Sequence, residues 1–175
     1  MSSATRLPTI LYLSAWAALI LLPIVMVWAV IAGAFGASAL RAAFPGVVQV
    51  DALQPWQAPS AFLVGLLPWA VVMWLLWRMR GLFDLYRRGQ ALTRTAAREI
   101  VAIGSGLLVL GVVKAVAHTG QVLILSAANG PGDRMLAITL GSAEIGFVLT
   151  GGLLIAIGRS MADAVRAAED LRGFV

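Results

Sequence analysis

Residues 8–36, PTILYLSAWAALILLPIVMVWAVIAGAFG, run without a charged side chain and are interrupted only by Pro23. A hydrocarbon core about 30 Å thick is crossed by roughly 20 apolar residues in helical form, so this stretch predicts a transmembrane helix from about Pro8 to Gly36. Proline removes one backbone hydrogen bond, a defect that neighbouring helices repair in lipid. A secretory signal is the alternative, with Arg6 in front and Ala37, Ser38 and Ala39 behind as an imitation cleavage site. The apolar region of such a signal usually spans about 7–15 residues, and this run is far longer.

Outward from it lie three more apolar runs, from about Ala61 to Trp77, Ile100 to Leu125 and Met135 to Gly158. The 175 residues are 61% hydrophobic and 12% charged, against about 45–50% apolar and about 25% charged in soluble domains. So little charge does not solvate a globular surface, and the mean hydropathy of +0.92 assigns most of the chain to hydrocarbon. Four spans of about 25 residues consume nearly the whole length. The expected fold is therefore all-α: one integral membrane four-helix bundle, with no room for a soluble enzyme domain. Pro45, Pro55 and Pro59 with Gln49, Asp51, Gln54 and Gln57 predict an extramembrane loop from Ala37 to Pro59, and Asn129-Gly130-Pro131-Gly132-Asp133 predicts a turn.

Between the second and third spans, residues 78–98 read RMRGLFDLYRRGQALTRTAAR. Arg78, Arg80, Arg87, Arg88, Arg94 and Arg98 alternate there with Leu82, Phe83, Leu85 and Tyr86, which predicts a short amphipathic segment along the membrane surface. Gly89 is expected to end it, and Thr93 or Thr95 to cap the next helix. Trp69, Trp74 and Trp77 beside these arginines mark an interface. Lys and Arg number one before span one, six in this central loop and three after span four, against one in each of the other two loops. By the positive-inside rule the N-terminus, the basic loop and the C-terminus face the cytoplasm of a bacterial inner membrane. The net charge of +5 is thereby explained by anchoring, and no direct nucleic-acid binding is expected.

Span three carries Lys114, His118 and Gln121 on one helical face, and span four carries Glu144. Measured inward from Leu125 and Met135, Lys114 and Glu144 lie about 16 and 14 Å deep at 1.5 Å per residue. One ionised group at the bilayer centre costs about 3 kcal/mol on insertion scales, so matched depth predicts a Lys114–Glu144 pair, with His118 or Gln121 as a hydrogen-bonding neighbour. Two readings stand for the cluster: a structural clamp between spans three and four, and a proton-relay or substrate element. A lone histidine does not supply both ligands of a bis-histidine haem, so His118 is read as an interhelical hydrogen-bonding group.

Ser142, Gly146 and Thr150 place small residues at every fourth position of span four, which suits close packing within the monomer or between two copies. Gly104 and Gly106 follow no strand and read as helix-packing glycines. The chain holds no cysteine, nucleotide-binding glycine loop, nucleophile elbow or metal-ligand spacing. No enzyme activity and no cofactor are expected. Met161, Val165, Ala168 and Leu171 recur at helical spacing opposite Arg159, Asp163, Arg166, Glu169 and Asp170. That tail either extends span four over the cytoplasmic end of the bundle or docks a soluble partner.

The order of four spans, the central GLFDLYRRGQALTRTAAREI segment and the C-terminal SMADAVRAAEDLRGFV tail resembles the bacterial membrane family called domain of unknown function 2975. The matching positions are Leu82, Phe83, Leu85, Tyr86, Gly89 and Leu92, then Ala164, Ala168, Glu169, Asp170, Phe174 and Val175. The resemblance covers about residues 10–175, the first half mainly in hydropathy, and this tail lacks the long acidic run of some members. It implies no established activity. Because members often accompany a small helix-turn-helix regulator, it implies a membrane-bound partner in regulation. The leading expectation is a non-enzymatic membrane protein that binds a cytoplasmic partner or a second copy of itself. The alternative is a transporter or channel component in which Lys114 and Glu144 line a polar path.

Overall fold

The computed structural model describes residues 3–33, 36–47, 54–127, 129 and 141–172. They form five helices and no strand: α1 (Ser3–Ile31), α2 (Ala37–Ala43), α3 (Gln57–Arg87), α4 (Arg94–Ser126) and α5 (Ser142–Arg172). All but α2 are long and apolar enough to cross a membrane, and the chain is a multi-pass, all-helical membrane bundle. Leu13, Ile24 and Trp28 of α1 and Leu149 and Leu153 of α5 lie well exposed on its outside. In water such a surface would be costly, whereas hydrocarbon solvates it.

The bundle is built around α4, which packs against α5 on one side and α3 on the other, while α1 rests on α3. Glycines explain how α4 serves both neighbours. Gly104 and Gly106 stand about 200° apart on the helix and so face opposite directions. A Cβ on Gly106 would lie 2.6 Å from Leu75 Cδ2 and Trp74 Cζ3 of α3, and one on Gly104 would lie 2.7 Å from the Gly151 carbonyl oxygen of α5. Leu75, Leu82, Ile100, Ile103 and Leu110 fill the core between these contacts. Among the described residues α1 and α5 share no extended contact, which leaves the bundle open between them.

Local chemistry sets the helix ends. Gly89 at φ 74° terminates α3. There the Gln90 N–H donates to Leu85 O and the Gly89 N–H to Tyr86 O, the Schellman pattern that satisfies orphan carbonyls. Four residues later Thr93 caps α4, its Oγ1 accepting the Ala96 N–H at 3.2 Å, which selects it over Thr95. At the other end of the bundle, buried Gln57 donates through Nε2 to Ile124 O at 2.9 Å and Leu125 O at 3.3 Å. It thereby caps the last turn of α4, where Ile124 O otherwise accepts only a long bond from the Ala127 N–H at 3.4 Å.

Several expectations change. The surface-lying amphipathic segment is absent between Arg78 and Arg87, because α3 runs straight on through them. Its 31 residues span about 46 Å at 1.5 Å per residue, more than the roughly 30 Å of hydrocarbon. The helix continues because Leu82 reaches the core, with Met79, Leu85 and Tyr86 packed beside it. The loop expected from Ala37 to Pro59 contains α2 and the first turn of α3. Span one ends at Ile31, short of Gly36. The tail is one helix with span four, as α5 runs unbroken to Arg172. Most of the predicted turn, the segment from Met135 to Leu140, and Phe174 and Val175 lie outside the described residues.

Candidate functional site

Lys114 Nζ lies 2.9 Å from Glu144 Oε1, so the ion pair expected from matched depth is formed between α4 and α5. Glu144 stands in the first turn of α5, not at mid-helix, and its Oε2 accepts the Gly141 N–H at 2.8 Å. One carboxylate thus binds the ammonium group with one oxygen and a backbone donor at its own helix start with the other, half of a capping box. Glu144 is nearly buried, with 11% of its side chain exposed, whereas Lys114 retains 46%. The exposed part of Lys114 lines a cavity of about 480 Å³ where α1, α3, α4 and α5 converge.

That cavity gathers Lys114, His118 and Gln121 from one face of α4, with Leu22 and Met26 from α1, Trp69 from α3 and Phe147 from α5 on its walls. The three polar residues recur every three to four positions, so a single helical face carries them. Two of them differ in detail from expectation. Neither His118 nor Gln121 bonds the ion pair. Gln121 Nε2 donates to Ala61 O at 3.0 Å, reaching α3 across Gly65, where a Cβ would come within 2.8 Å of that nitrogen. The His118 ring stacks on Phe44, with centroids 5.5 Å apart. Phe44 follows α2 and is packed near Leu40, Ala61 and Leu125, so the interhelical connection folds back over the histidine end of the cavity. Phe44 was not legible as a site residue, since nothing in its sequence neighbourhood signals an aromatic stack on His118, 74 residues further along the chain.

The small-residue stripe does not pack against the described residues of its own chain. Ser142 and Thr150 are exposed, and a Cβ on Gly146 would meet nothing within 4 Å. The contact face of α5 carries Gly151 and Gly158 instead: Gly151 against Gly104, Gly158 against Ala97 O at 3.0 Å. The reason is rotational. Once Glu144 faces Lys114, residues seven and fourteen positions on share its face, while Gly146 lies about 200° round the helix. Gly104 and Gly106 do serve packing, as their sequence context indicated.

Five of the six arginines of the basic loop are engaged within the chain. Arg78 meets Glu99 at 3.1 Å and lies 5.1 Å over Trp74. Arg80 is held between Trp16 and Trp77, at 5.1 and 4.3 Å, with its Nε buried and unbonded. Asp84 receives both Arg87 at 2.9 Å and Arg88 at 2.6 Å, and Arg87 also covers Tyr12 at 4.5 Å. Arg94 pairs with Glu169 of the tail. Arg98 is exposed. The pairs with Asp84 are readable as i,i+3 and i,i+4 spacings, but the partners Glu99, Trp16 and Tyr12 required knowing which helices touch. Among the described residues no group of three or more His, Asp or Glu is placed to hold a metal ion. No family model, no curated protein and no solved structure matches the chain.

Proposed function

We propose that this chain is a non-enzymatic regulatory protein of the bacterial inner membrane, which senses an occupant of its four-helix cavity and answers through its arginine-rich cytoplasmic end. One observation carries the reading: α4 and α5 share a single continuous seam from the cavity to that end. It begins at Lys114–Glu144, passes Gly111, Gly104–Gly151 and Ala97–Gly158, and finishes at Arg94–Glu169. Backbones packed this closely shift as one body, because packed interfaces do not deform continuously. A change at the ion pair is therefore felt by the tail, where a soluble protein or a second copy would dock. The arginine distribution supports cytoplasmic termini.

The test is a distance. Spin labels at Gln90→Cys and Asp163→Cys, in a chain with no native cysteine, report the separation of the α3–α4 connection and the tail in nanodiscs. Neutralising the pair with Lys114→Gln plus Glu144→Gln is expected to shift or broaden that distance distribution. An unchanged distribution would remove the coupling. A transporter or channel component is the second reading, favoured by the half-exposed Lys114 in the cavity. Proton or solute flux in liposomes that the same double substitution abolishes would put transport first.

A further inference from the structure

The cavity presents one charge. Lys114 is on its wall, whereas Glu144 is not; Glu144 lines a separate, apolar groove with Val112, Val116 and Val148. Within hydrocarbon every unmet donor is costly. Of the three ammonium hydrogens on Lys114, one is taken by Glu144. The His118 imidazole stacks on Phe44, and its ring nitrogens make no hydrogen bond among the described residues. Lys114 and His118 stand four residues apart on one face of α4, about 6 Å along the axis, close enough for one oxyanion to meet both. Leu22, Met26, Trp69, Leu110 and Phe147 make the rest of the wall apolar. Leu22 and Met26 of α1 and Phe147 of α5 stand on opposite walls of the cavity, and these two helices share no extended contact.

From these relations we infer that the cavity binds a single-chain amphiphile with a carboxylate head group, such as a long-chain fatty acid entering from the bilayer. Its carboxylate sits between Lys114 and His118, and its hydrocarbon lies along α1 and Phe147. A volume of about 480 Å³ falls within the roughly 300–1,000 Å³ of ligand sites and takes one chain in preference to a whole two-chain lipid. The inference rests on the reading of this cavity as a sensing site and names what it senses.

The full-length protein in phosphatidylcholine nanodiscs is titrated with the polyene fatty acid cis-parinaric acid, which accepts excitation energy from Trp69 on the cavity wall; the other five tryptophans also transfer to probe dissolved in the bilayer, so binding is read as the saturable, displaceable part. Saturable transfer is expected, displaced by unlabelled oleate but about tenfold less effectively by its methyl ester, which cannot form charge-assisted bonds. The paired substitution Lys114→Gln plus Glu144→Gln, which leaves no unpaired charge, is expected to weaken binding by about tenfold. Leu22→Trp, which fills the wall from α1 without touching the pair, is expected to abolish it while the protein elutes as a folded species. Equal competition by acid and ester, undiminished binding in the paired variant, or no saturable transfer would overturn the assignment. Displacement by phosphatidic acid at the same mole fraction as oleate would overturn its single-chain part and assign the site to a lipid head group. Binding without movement of the tail labels would leave this site standing and remove only the coupling proposed above; tail movement without fatty-acid binding would do the reverse.

Discussion

Gly104 and Gly151 exclude each other's side chains: a Cβ built on either would stand 2.7 Å from the other's carbonyl oxygen. Because both obstacles are backbone, neither helix relieves the overlap by turning a side chain. Gly104→Ala and Gly151→Ala should each force α4 and α5 apart and lower stability by about 1–3 kcal/mol. Gly146→Ala, which meets nothing within 4 Å, should be neutral or slightly stabilising, since alanine is the better helix former. Melting temperatures in detergent would separate the two classes, and a destabilised Gly146→Ala would contradict the assigned rotation of α5.

The ion pair should respond asymmetrically to charge reversal. Lys114→Glu and Glu144→Lys each place like charges together within the membrane, at a cost of about 3 kcal/mol or more on insertion scales. The combined swap restores attraction but not the bond from Gly141 to the residue at 144, because a lysine accepts nothing. Rescue should therefore be partial. Full recovery of the melting temperature would show that the Gly141 contact contributes little.

Gln57 joins the start of α3 to the end of α4 and is fully buried. Gln57→Leu keeps the volume but leaves Ile124 O and Leu125 O without the Nε2 donor, which should cost about 1–3 kcal/mol. Hydrogen exchange read by mass spectrometry should then rise at the last turn of α4 and leave the Gly104 region protected. Uniform protection would mean that other groups satisfy those carbonyls.

Orientation is open to a labelling measurement, because no native cysteine interferes. Ser38→Cys in α2 and Gln90→Cys in the α3–α4 connection are both at exposed positions and belong to opposite ends of the bundle. With cytoplasmic termini, an impermeant maleimide added to spheroplasts should modify Ser38→Cys and spare Gln90→Cys until the cells are lysed. The reverse pattern would invert the topology and move the proposed output to the outer side.

Much of this was readable in one dimension. The four spans follow from the length of uncharged runs, since a bilayer sets a minimum that few soluble helices meet. The Lys114–Glu144 pair follows because hydrocarbon penalises an unmatched charge, although the depth of Glu144 counts from Met135, outside the described residues, and α5 begins at Ser142. Gly89 and Thr93 announced their helix ends because capping is local chemistry.

What the chain alone left undecided was rotation and neighbourhood. Which small-residue stripe of α5 faces α4 depends on the turn of one helix about its axis, and that angle emerges only when Glu144, Gly151 and Gly158 meet their partners together. The same holds for the arginines: composition marked residues 78–98 as basic, but Glu99, Trp16 and Tyr12 engage Arg78, Arg80 and Arg87 only once α1, α3 and α4 are side by side. The cavity has no sequence signature of its own, for its wall is assembled from residues of α1, α3, α4 and α5. Height in the membrane is written along the chain by a fixed rise per residue; the facing of helices is a sum of weak contacts that only the assembled bundle can add.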